Sequence, residues 1–197
     1  YLDDMGMFKF HTVAAHCVQL SDEDIDILAE RGVYAATNPI SNAKLGNGFA
    51  RIPDMLDKGV KLCIGTDSAG SNNTLNMFSD MNFICLAHKG NCRSATAVSA
   101  RQALKMATET GAKALGFDNT GILKEGYAAD LTVMDMKYPS LQPVNDSVAA
   151  MCYSASGYEV ESVMVDGEFL MENREIKGMD EERIYFECNK AMKRIDG

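Results

Sequence analysis

An aspartate and a histidine, each at the end of an apolar segment, are the residues with the clearest chemical potential. Asp67 ends the segment 60–67 and precedes a run of small and polar residues at 68–73. A carboxylate at such a position can bind a metal ion or move a proton. His16 lies near the end of another apolar segment, and an imidazole can act as acid or base near neutral pH. A helix-capping aspartate and a hydrogen-bonded core histidine are the alternative interpretations.

Other polar residues are weaker candidates. Residues 38–42, Asn-Pro-Ile-Ser-Asn, follow a short apolar stretch, and their amides and hydroxyl could orient a polar ligand. Turn formation is the alternative, since Asn-Pro and Ser-Asn favour turns unaided. His11 lies early in its segment, on the side away from His16. His88 stands beside Lys89 in a predicted helix, where we expect a surface position.

Alternating strand and helix patterns are expected to position these residues. Predicted strands at 10–18, 33–37 and 60–67 alternate with predicted helices at 21–31 and 49–58. Ser21 is suited to cap the first helix and Gly32 to end it. This order predicts βαβ units and a parallel sheet, in an α/β fold. Since parallel strands end at one edge, we expect His16 and Asp67 to face the same rim.

The second half of the chain has a different pattern of predicted helices and strands. Helices are predicted at 75–89 and 95–115, the latter broken near Gly111. After Gly126 come short predicted strands at 129–135, 147–153 and 161–165, with a hairpin turn at Asp166-Gly167. An amphipathic helix is predicted at 180–195, with its apolar face packed on the body. We expect three regions: residues 1–122, residues 123–178 and residues 179–197.

Composition excludes several classes of partner. The 197 residues include 19 Lys and Arg against 28 Asp and Glu, a net charge of −9. Without a basic run, such a chain is poorly suited to nucleic acid or to anionic membranes. No apolar run reaches the ~18 residues of a membrane span. The six cysteines lack a Cys-x-x-Cys pair, which indicates free, buried thiols and a reducing, cytoplasmic location. The start at Tyr1 suggests a fragment or a processed product.

Three motifs resemble the amidohydrolase superfamily. They are the segments 14–18 (Ala-Ala-His-Cys-Val), 38–48 (Asn-Pro-Ile-Ser-Asn-Ala-Lys-Leu-Gly-Asn-Gly) and 65–73 (Gly-Thr-Asp-Ser-Ala-Gly-Ser-Asn-Asn). The branch they resemble contains the 5′-methylthioadenosine/S-adenosylhomocysteine deaminases and related chlorohydrolases. Residues 128–135 and 163–167 resemble two strands of the small β-sandwich domain of that family. The resemblance covers nearly the whole chain, in order.

The resemblance implies a (β/α)8 barrel enzyme of which this chain is the C-terminal part. That part would hold about strands six to eight with their helices, part of the β-sandwich and a C-terminal helix. Such enzymes use a divalent metal, typically zinc and in some cases iron, to activate a water. The water attacks an electron-poor ring carbon, and ammonia leaves. The implied substrate is purine-type: methylthioadenosine, S-adenosylhomocysteine or adenosine.

The resemblance also assigns roles by position. Asp67 matches the metal-ligating aspartate of the last barrel strand, which also handles the proton of the water. His16 matches the histidine of the sixth strand, which hydrogen-bonds the water or the developing tetrahedral centre. The other family ligands, a His-x-His on the first strand and a histidine on the fifth, have no counterpart here, nor has the catalytic glutamate of the fifth strand. We therefore expect the chain alone to be inactive and to hold no metal by itself.

Alternatives to this assignment remain. The parent protein could be another amidohydrolase, of the triazine chlorohydrolase or guanine deaminase type. The chain could also be a non-catalytic interaction fragment. Three barrel strands would leave open apolar edges, which invite pairing with another chain. The expected partner is the missing N-terminal half of the enzyme or a second copy of this chain.

Overall fold

A computed structural model describes residues 1–195 of the chain. It contains two sheets, one of three parallel strands and one of four antiparallel strands. Helices alternate with the strands of the parallel sheet along the chain. The predicted α/β class is therefore confirmed.

The parallel sheet holds the three strands predicted in the first half. Its strands, in spatial order, are β1 (Val13–Ala15), β2 (Tyr34–Thr37) and β3 (Lys61–Ile64). Its connecting helices are α1 (Asp22–Arg31), α2 (Pro39–Lys44) and α3 (Ile52–Asp57). The first strand is shorter than predicted. A 3-10 helix covers Met7–Lys9, and His16 and Cys17 leave the strand with positive φ angles.

Local signals explain the first helix. The Ser21 hydroxyl accepts a hydrogen bond from Asp24 N at 3.1 Å, and the Asp24 carboxylate accepts one from Ser21 N at 2.9 Å. This reciprocal pair satisfies two amides that helical bonding leaves free. Gly32 ends the helix at φ 65°, in the left-handed region that glycine enters without strain. Ile25 and Leu28 are buried, so the helix lies on the sheet through its apolar face.

Four helices follow the parallel sheet. They are α4 (Ala69–Asn72), α5 (Met77–Cys92), α6 (Ala100–Ala107) and α7 (Glu109–Ala114). The helical stretch predicted at 95–115 breaks at Thr108, three residues before Gly111, where φ is −119° and ψ is −89°. The Thr108 hydroxyl donates to the carbonyl of Leu104 at 2.7 Å. Such a bond to the preceding turn bends or interrupts a helix.

The antiparallel sheet occupies the later part of the chain. Its strands, in spatial order, are β4 (Leu131–Met134), β5 (Val160–Val165), β6 (Glu168–Glu172) and β7 (Glu175–Ile176). Asp166 and Gly167 form the predicted turn between β5 and β6, with φ angles of 49° and 82°. Two successive positive φ angles match the twist of the paired strands.

The strand predicted at 147–153 is wrong, because this segment forms helix α8 (Ser147–Tyr153). The Asp146 carboxylate accepts hydrogen bonds from Val148 N at 2.8 Å and Ala149 N at 3.0 Å. This N-cap decides in favour of a helix for an apolar run that suits either structure. Helix α8 packs against α5 and α6, and it buries Cys152 there.

Glu159 is a buried carboxylate that ties the turn before β5 to an earlier loop. It accepts hydrogen bonds from the Ser140 hydroxyl at 2.7 Å, from Ser156 N at 2.9 Å and from Gly157 N at 3.0 Å. Burial raises the pKa of Glu159, but these hydrogen bonds outweigh it and hold the pKa at about 2. The carboxylate is therefore charged at neutral pH and stabilises this loop arrangement.

Helix α9 (Glu181–Ile195) confirms the predicted C-terminal helix but not its predicted packing. All of its residues are exposed, with Phe186 at 65% and Ile195 at 76%. Amphipathic spacing predicts an apolar face, but it does not identify what covers that face. Among residues 1–195, no helix combines the length and the apolar character needed to cross a membrane.

The main core lies between the parallel sheet and its helices, where Ile25, Ile52, Met55 and Ile84 are fully buried. The cysteines meet the prediction of burial only in part. Three are buried as expected: Cys63, Cys85 and Cys152. Cys92 and Cys188 are exposed, since Cys92 is the last residue of α5 and Cys188 lies in the middle of α9, whose residues are all exposed.

Candidate functional site

His16 and Asp67 lie at the carboxyl edge of the parallel sheet, as predicted. His16 directly follows β1, and Asp67 comes three residues after β3. Both have left-handed backbone conformations, with φ 67° at His16 and φ 62° at Asp67. Such conformations are uncommon outside glycine and cluster at sites where a side chain must point in a set direction. The chain therefore bends sharply at both positions.

The Asp67 carboxylate is held by two donors. The Ser41 hydroxyl donates to Oδ2 at 2.6 Å, and Ser68 N donates to Oδ1 at 2.8 Å. The Ser41 hydrogen bond is the main cause that lowers the pKa of Asp67 to about 2, and the nearby His16 lowers it further. Asp67 is partly exposed and ionised at neutral pH, so it presents a negative charge to solvent at the rim.

The His16 imidazole is held by one acceptor. Its Nδ1 donates to Asn42 Oδ1 at 2.8 Å. This bond leaves Nε2 without a partner among the described side chains, on a residue that is only partly buried. An ionised carboxylate and a free imidazole nitrogen at one rim can bind a cation or move a proton.

Helix α2, which follows the central strand β2, contacts both His16 and Asp67. Ser41 and Asn42 are consecutive, and their exposed fractions are 0% and 1%. Ser41 contacts Asp67 and Asn42 contacts His16, so one buried dipeptide holds both. The start of α2 lies close to the end of β3. A Cβ added to Gly65, which directly follows β3, would lie only 2.8 Å from Asn38 Nδ2. The sequence indicated that segment 38–42 could orient a polar ligand or form a turn. In the structure, two of its side chains contact His16 and Asp67.

Asp80 is a residue of this region that the sequence analysis missed. It lies on α5 with an exposed fraction of 0%. Its carboxylate accepts from Ile40 N at 3.4 Å and from Asn72 Nδ2 at 3.0 Å, and Asn72 also donates to Thr66 O at 2.7 Å. Burial raises the pKa of Asp80. The residue thus joins the start of α2 to the loop that carries Asp67.

The other two histidines do not reach the rim contacts. His11 Nε2 donates to the carbonyl of Ala114 at 2.8 Å. The predicted surface position of His88 is wrong, because its exposed fraction is 4%. His88 shares a face of α5 with the buried Ile84 and packs edge-on against Phe49 at 6.1 Å between ring centroids. Burial lowers the pKa of His88.

The described residues do not form a complete metal site. Within residues 1–195, no group of three or more His, Cys, Asp or Glu side chains could hold a metal ion. A catalytic zinc site needs about three protein ligands. The ionised carboxylate of Asp67 is of the chemical type that binds divalent cations. Any divalent metal bound here would need further ligands from outside this set.

Comparison with known proteins identifies the family. Residues 1–170 match the sequence profile of the Amidohydrolase family. The chain is 48% identical over 189 residues to a 5-methylthioadenosine/S-adenosylhomocysteine deaminase of Dictyoglomus thermophilum, which covers 96% of this chain and 44% of that protein. It is 45% identical over 194 residues to a 5′-deoxyadenosine deaminase of Methanosarcina mazei, covering 98% of this chain and 45% of that protein. The chain thus spans less than half the length of these curated relatives.

Solved structures agree with the sequence match. A zinc-bound adenosine deaminase from Xanthomonas campestris superposes with a TM-score of 0.94 at 33% identity, covering 99% of this chain and 45% of that one. An atrazine chlorohydrolase from Arthrobacter aurescens in complex with zinc superposes with a TM-score of 0.85 at 30% identity, covering 90% of this chain and 40% of that one. The resemblance found in the three motifs is confirmed, and the chain belongs to the amidohydrolase family.

Proposed function

We propose that this chain is the C-terminal portion of a metal-dependent hydrolytic deaminase of purine nucleosides or their thioethers. The observation that carries the proposal is the pairing of Asp67 and His16 at one sheet edge, each held by a residue of α2. The names of the curated relatives support the substrate class, since they include deaminases of methylthioadenosine, S-adenosylhomocysteine and 5′-deoxyadenosine.

In this proposal the parallel strands β1, β2 and β3 are the sixth, seventh and eighth strands of a (β/α)8 barrel. Catalytic groups of such barrels lie at the carboxyl ends of the strands, which is the edge that Asp67 and His16 occupy. Residues 1–122 would form the barrel part, residues 123–178 part of a β-sandwich, and residues 179–197 a C-terminal helix. The packing of α8 on α5 and α6 would then join the first two regions.

Asp67 and His16 have different proposed roles. A pKa of about 2 keeps the Asp67 carboxylate charged, which suits it as a ligand of a divalent cation, zinc in two of the similar structures. Such a cation, when bound, lowers the pKa of a water toward 7. Asp67 takes the proton of the attacking water briefly, because a weakly basic carboxylate readily passes it on to the leaving amine. His16 Nε2 hydrogen-bonds the attacking water or the tetrahedral centre.

In this proposal, catalytic activity requires parts of the fold that lie outside this chain. The chain spans 44% of the Dictyoglomus relative, and its described residues lack a complete ligand set. Strand β1 lies at one edge of the sheet, with Val13 exposed and the preceding Phe10 78% exposed. Unpaired strand edges with exposed apolar side chains favour association with another strand. We infer that the chain alone is inactive and works when joined to the rest of the fold.

A chimeric enzyme tests this proposal. The chain replaces the segment of the Dictyoglomus deaminase to which it aligns, and ammonia release from 5′-methylthioadenosine is measured with zinc supplied. We expect deamination by the chimera and none by the 197-residue chain alone. A matched chimera with Ser99→Ala, a helix cap of α6, should keep the activity. A folded, zinc-loaded chimera that releases no ammonia from any adenosine-type nucleoside would refute the proposal.

A chlorohydrolase is the second candidate, favoured by the structural likeness to the atrazine enzyme. The two activities differ in the leaving group, because one releases ammonia from a purine and the other chloride from a triazine. A second chimera, in which the chain replaces the aligned segment of the Arthrobacter enzyme, should release chloride from atrazine if this candidate is correct. We expect the adenosine substrates to be preferred, since the identity to the deaminases is higher.

A further inference from the structure

We propose that Asn42 is a positioning residue that fixes the tautomer and direction of the His16 imidazole. The significance of this role for the reaction rests on the proposed function, in which His16 Nε2 faces the reacting atoms. The positioning itself is a property of the chain and can be tested without the reaction.

The contact between the two side chains defines the tautomer. His16 Nδ1 lies 2.8 Å from Asn42 Oδ1. An amide oxygen can only accept a hydrogen bond, so the proton of the neutral imidazole must be on Nδ1. Nε2 then carries the lone pair at the rim. The hydrogen bond of one ring nitrogen thus decides which chemistry the other can perform.

The backbone around Asn42 is held on both sides. Asn42 N donates to Asn38 O, and Asn42 O accepts from Asn47 N, each at 2.9 Å. The side chain is 1% exposed, so it has little freedom to adopt another rotamer. Two more restraints act on the same helix, because Ser41 contacts Asp67 and Asp80 binds Ile40 N. Asn42 is thus a fixed acceptor rather than a mobile one.

The rest of the Asn42 side chain argues against a purely structural role. Its Nδ2 is buried and has no hydrogen-bond partner among residues 1–195. A buried donor without a partner destabilises a fold, and an apolar side chain of similar size avoids that cost. Stability alone would therefore favour leucine at this position. What asparagine adds is the oxygen that accepts from His16.

In the proposed reaction this arrangement gives Nε2 a defined task. With Nδ1–H engaged, Nε2 of the neutral ring accepts a hydrogen bond from the attacking water. After Asp67 has taken one proton of that water, the hydroxyl that remains on the tetrahedral centre donates to Nε2 in the same way. The opposite tautomer would present an N–H to the water and could not accept from it.

Nitrogen NMR of the 197-residue chain tests the inference. The imidazoles are labelled with ¹⁵N, and spectra are recorded at about pH 9, well above the ordinary pKa of histidine. The chain has three histidines, so the His16 signals are identified by their loss in His16→Gln. Asn42→Leu removes the acceptor at similar volume, while Asn42→Asp retains it. Thermal unfolding of each variant is followed by circular dichroism.

We expect His16 to be protonated at Nδ1 and unprotonated at Nε2 in the wild type and in Asn42→Asp. Asn42→Leu should lose this preference and show a mixture of tautomers, with a melting temperature equal to or above that of the wild type. A wild-type spectrum with the proton on Nε2 would overturn the inference, whatever the variants do. So would a folded Asn42→Leu variant that keeps Nδ1 protonated. An inactive chimera would count against the proposed function and leave this result unaffected.

Discussion

Replacing Ser41 by alanine should raise the pKa of Asp67. The pKa lies at about 2, against an ordinary value of 3.8, so the folded protein lowers it by about 1.8. Four groups lower it, namely the Ser41 and Ser71 hydroxyls, Ser68 N and His16, and the Ser41 hydroxyl, 2.6 Å from Oδ2, contributes most. The largest of four contributions is at least one quarter of the total lowering, so Ser41→Ala should raise the pKa of Asp67 by about 0.5 or more.

The sign of the matching stability effect follows from linkage. The folded pKa of Asp67 is below its unfolded value, so ionised Asp67 stabilises the fold above pH 3.8. That stabilisation is lost as the pH falls toward about 2. In Ser41→Ala the pKa values of Asp67 in the folded and unfolded states lie closer together. The loss of stability between pH 4 and pH 2 should then be smaller than in the wild type.

Carbon NMR of the Asp67 carboxyl, followed from pH 6 to pH 1.5, measures the pKa directly. Ser99→Ala is the matched control, since Ser99 caps α6 and contacts Gln102 instead of Asp67. The control should leave the pKa of Asp67 unchanged. An unchanged pKa of Asp67 in folded Ser41→Ala would show that the Ser41 hydroxyl is not the main cause of the low value.

Three further predictions concern the fold. Ser21→Ala removes the N-cap of α1 and should lower the free energy of unfolding by about 1 kcal/mol in urea titrations. Glu159→Gln should lower it by about 1–3 kcal/mol at pH 7, and the difference from the wild type should shrink as the pH falls from 4.5 toward 2, where Glu159 itself becomes protonated. A thiol reagent should modify Cys92 and Cys188 rapidly in the native chain. Rapid native-state modification of the buried Cys63, whose pKa burial raises to about 11, would contradict the core described above.

The elements that the sequence predicted well carry their own local signals. Helix α1 has its start in Ser21 and Asp24 and its end in Gly32, within one short segment. The turn at Asp166-Gly167 is equally local. Such signals involve neighbouring residues, so no knowledge of the rest of the fold is needed to interpret them.

Most errors occurred where a distant contact decides the outcome. The apolar run 147–153 is the exception, because the N-cap at Asp146 is a local signal for the helix, to which the packing on α5 and α6 is added. The spacing in α9 predicts an apolar face but not what covers it. His88 lies beside a lysine in the sequence, yet its own side chain belongs to the buried face of α5.

The candidate site could likewise be predicted from local signals only in part. His16 and Asp67 could be predicted, because each ends an apolar strand and parallel strands end together. Ser41 and Asn42 lie 26 residues from their partners, so the sequence does not reveal those contacts. Asp80 resembles an ordinary charged residue on a helix surface. Its burial becomes evident only when α5 packs against the start of α2.

We propose that Asp67 is the residue of this chain on which metal binding and catalysis depend. The most direct measurement compares the zinc content and ammonia release of the Dictyoglomus chimera with those of its Asp67→Ala variant. We expect the chimera to hold about one zinc and to deaminate 5′-methylthioadenosine, and the variant to lose both zinc retention and activity. A folded Asp67→Ala variant that keeps its zinc and still releases ammonia would contradict this role of Asp67.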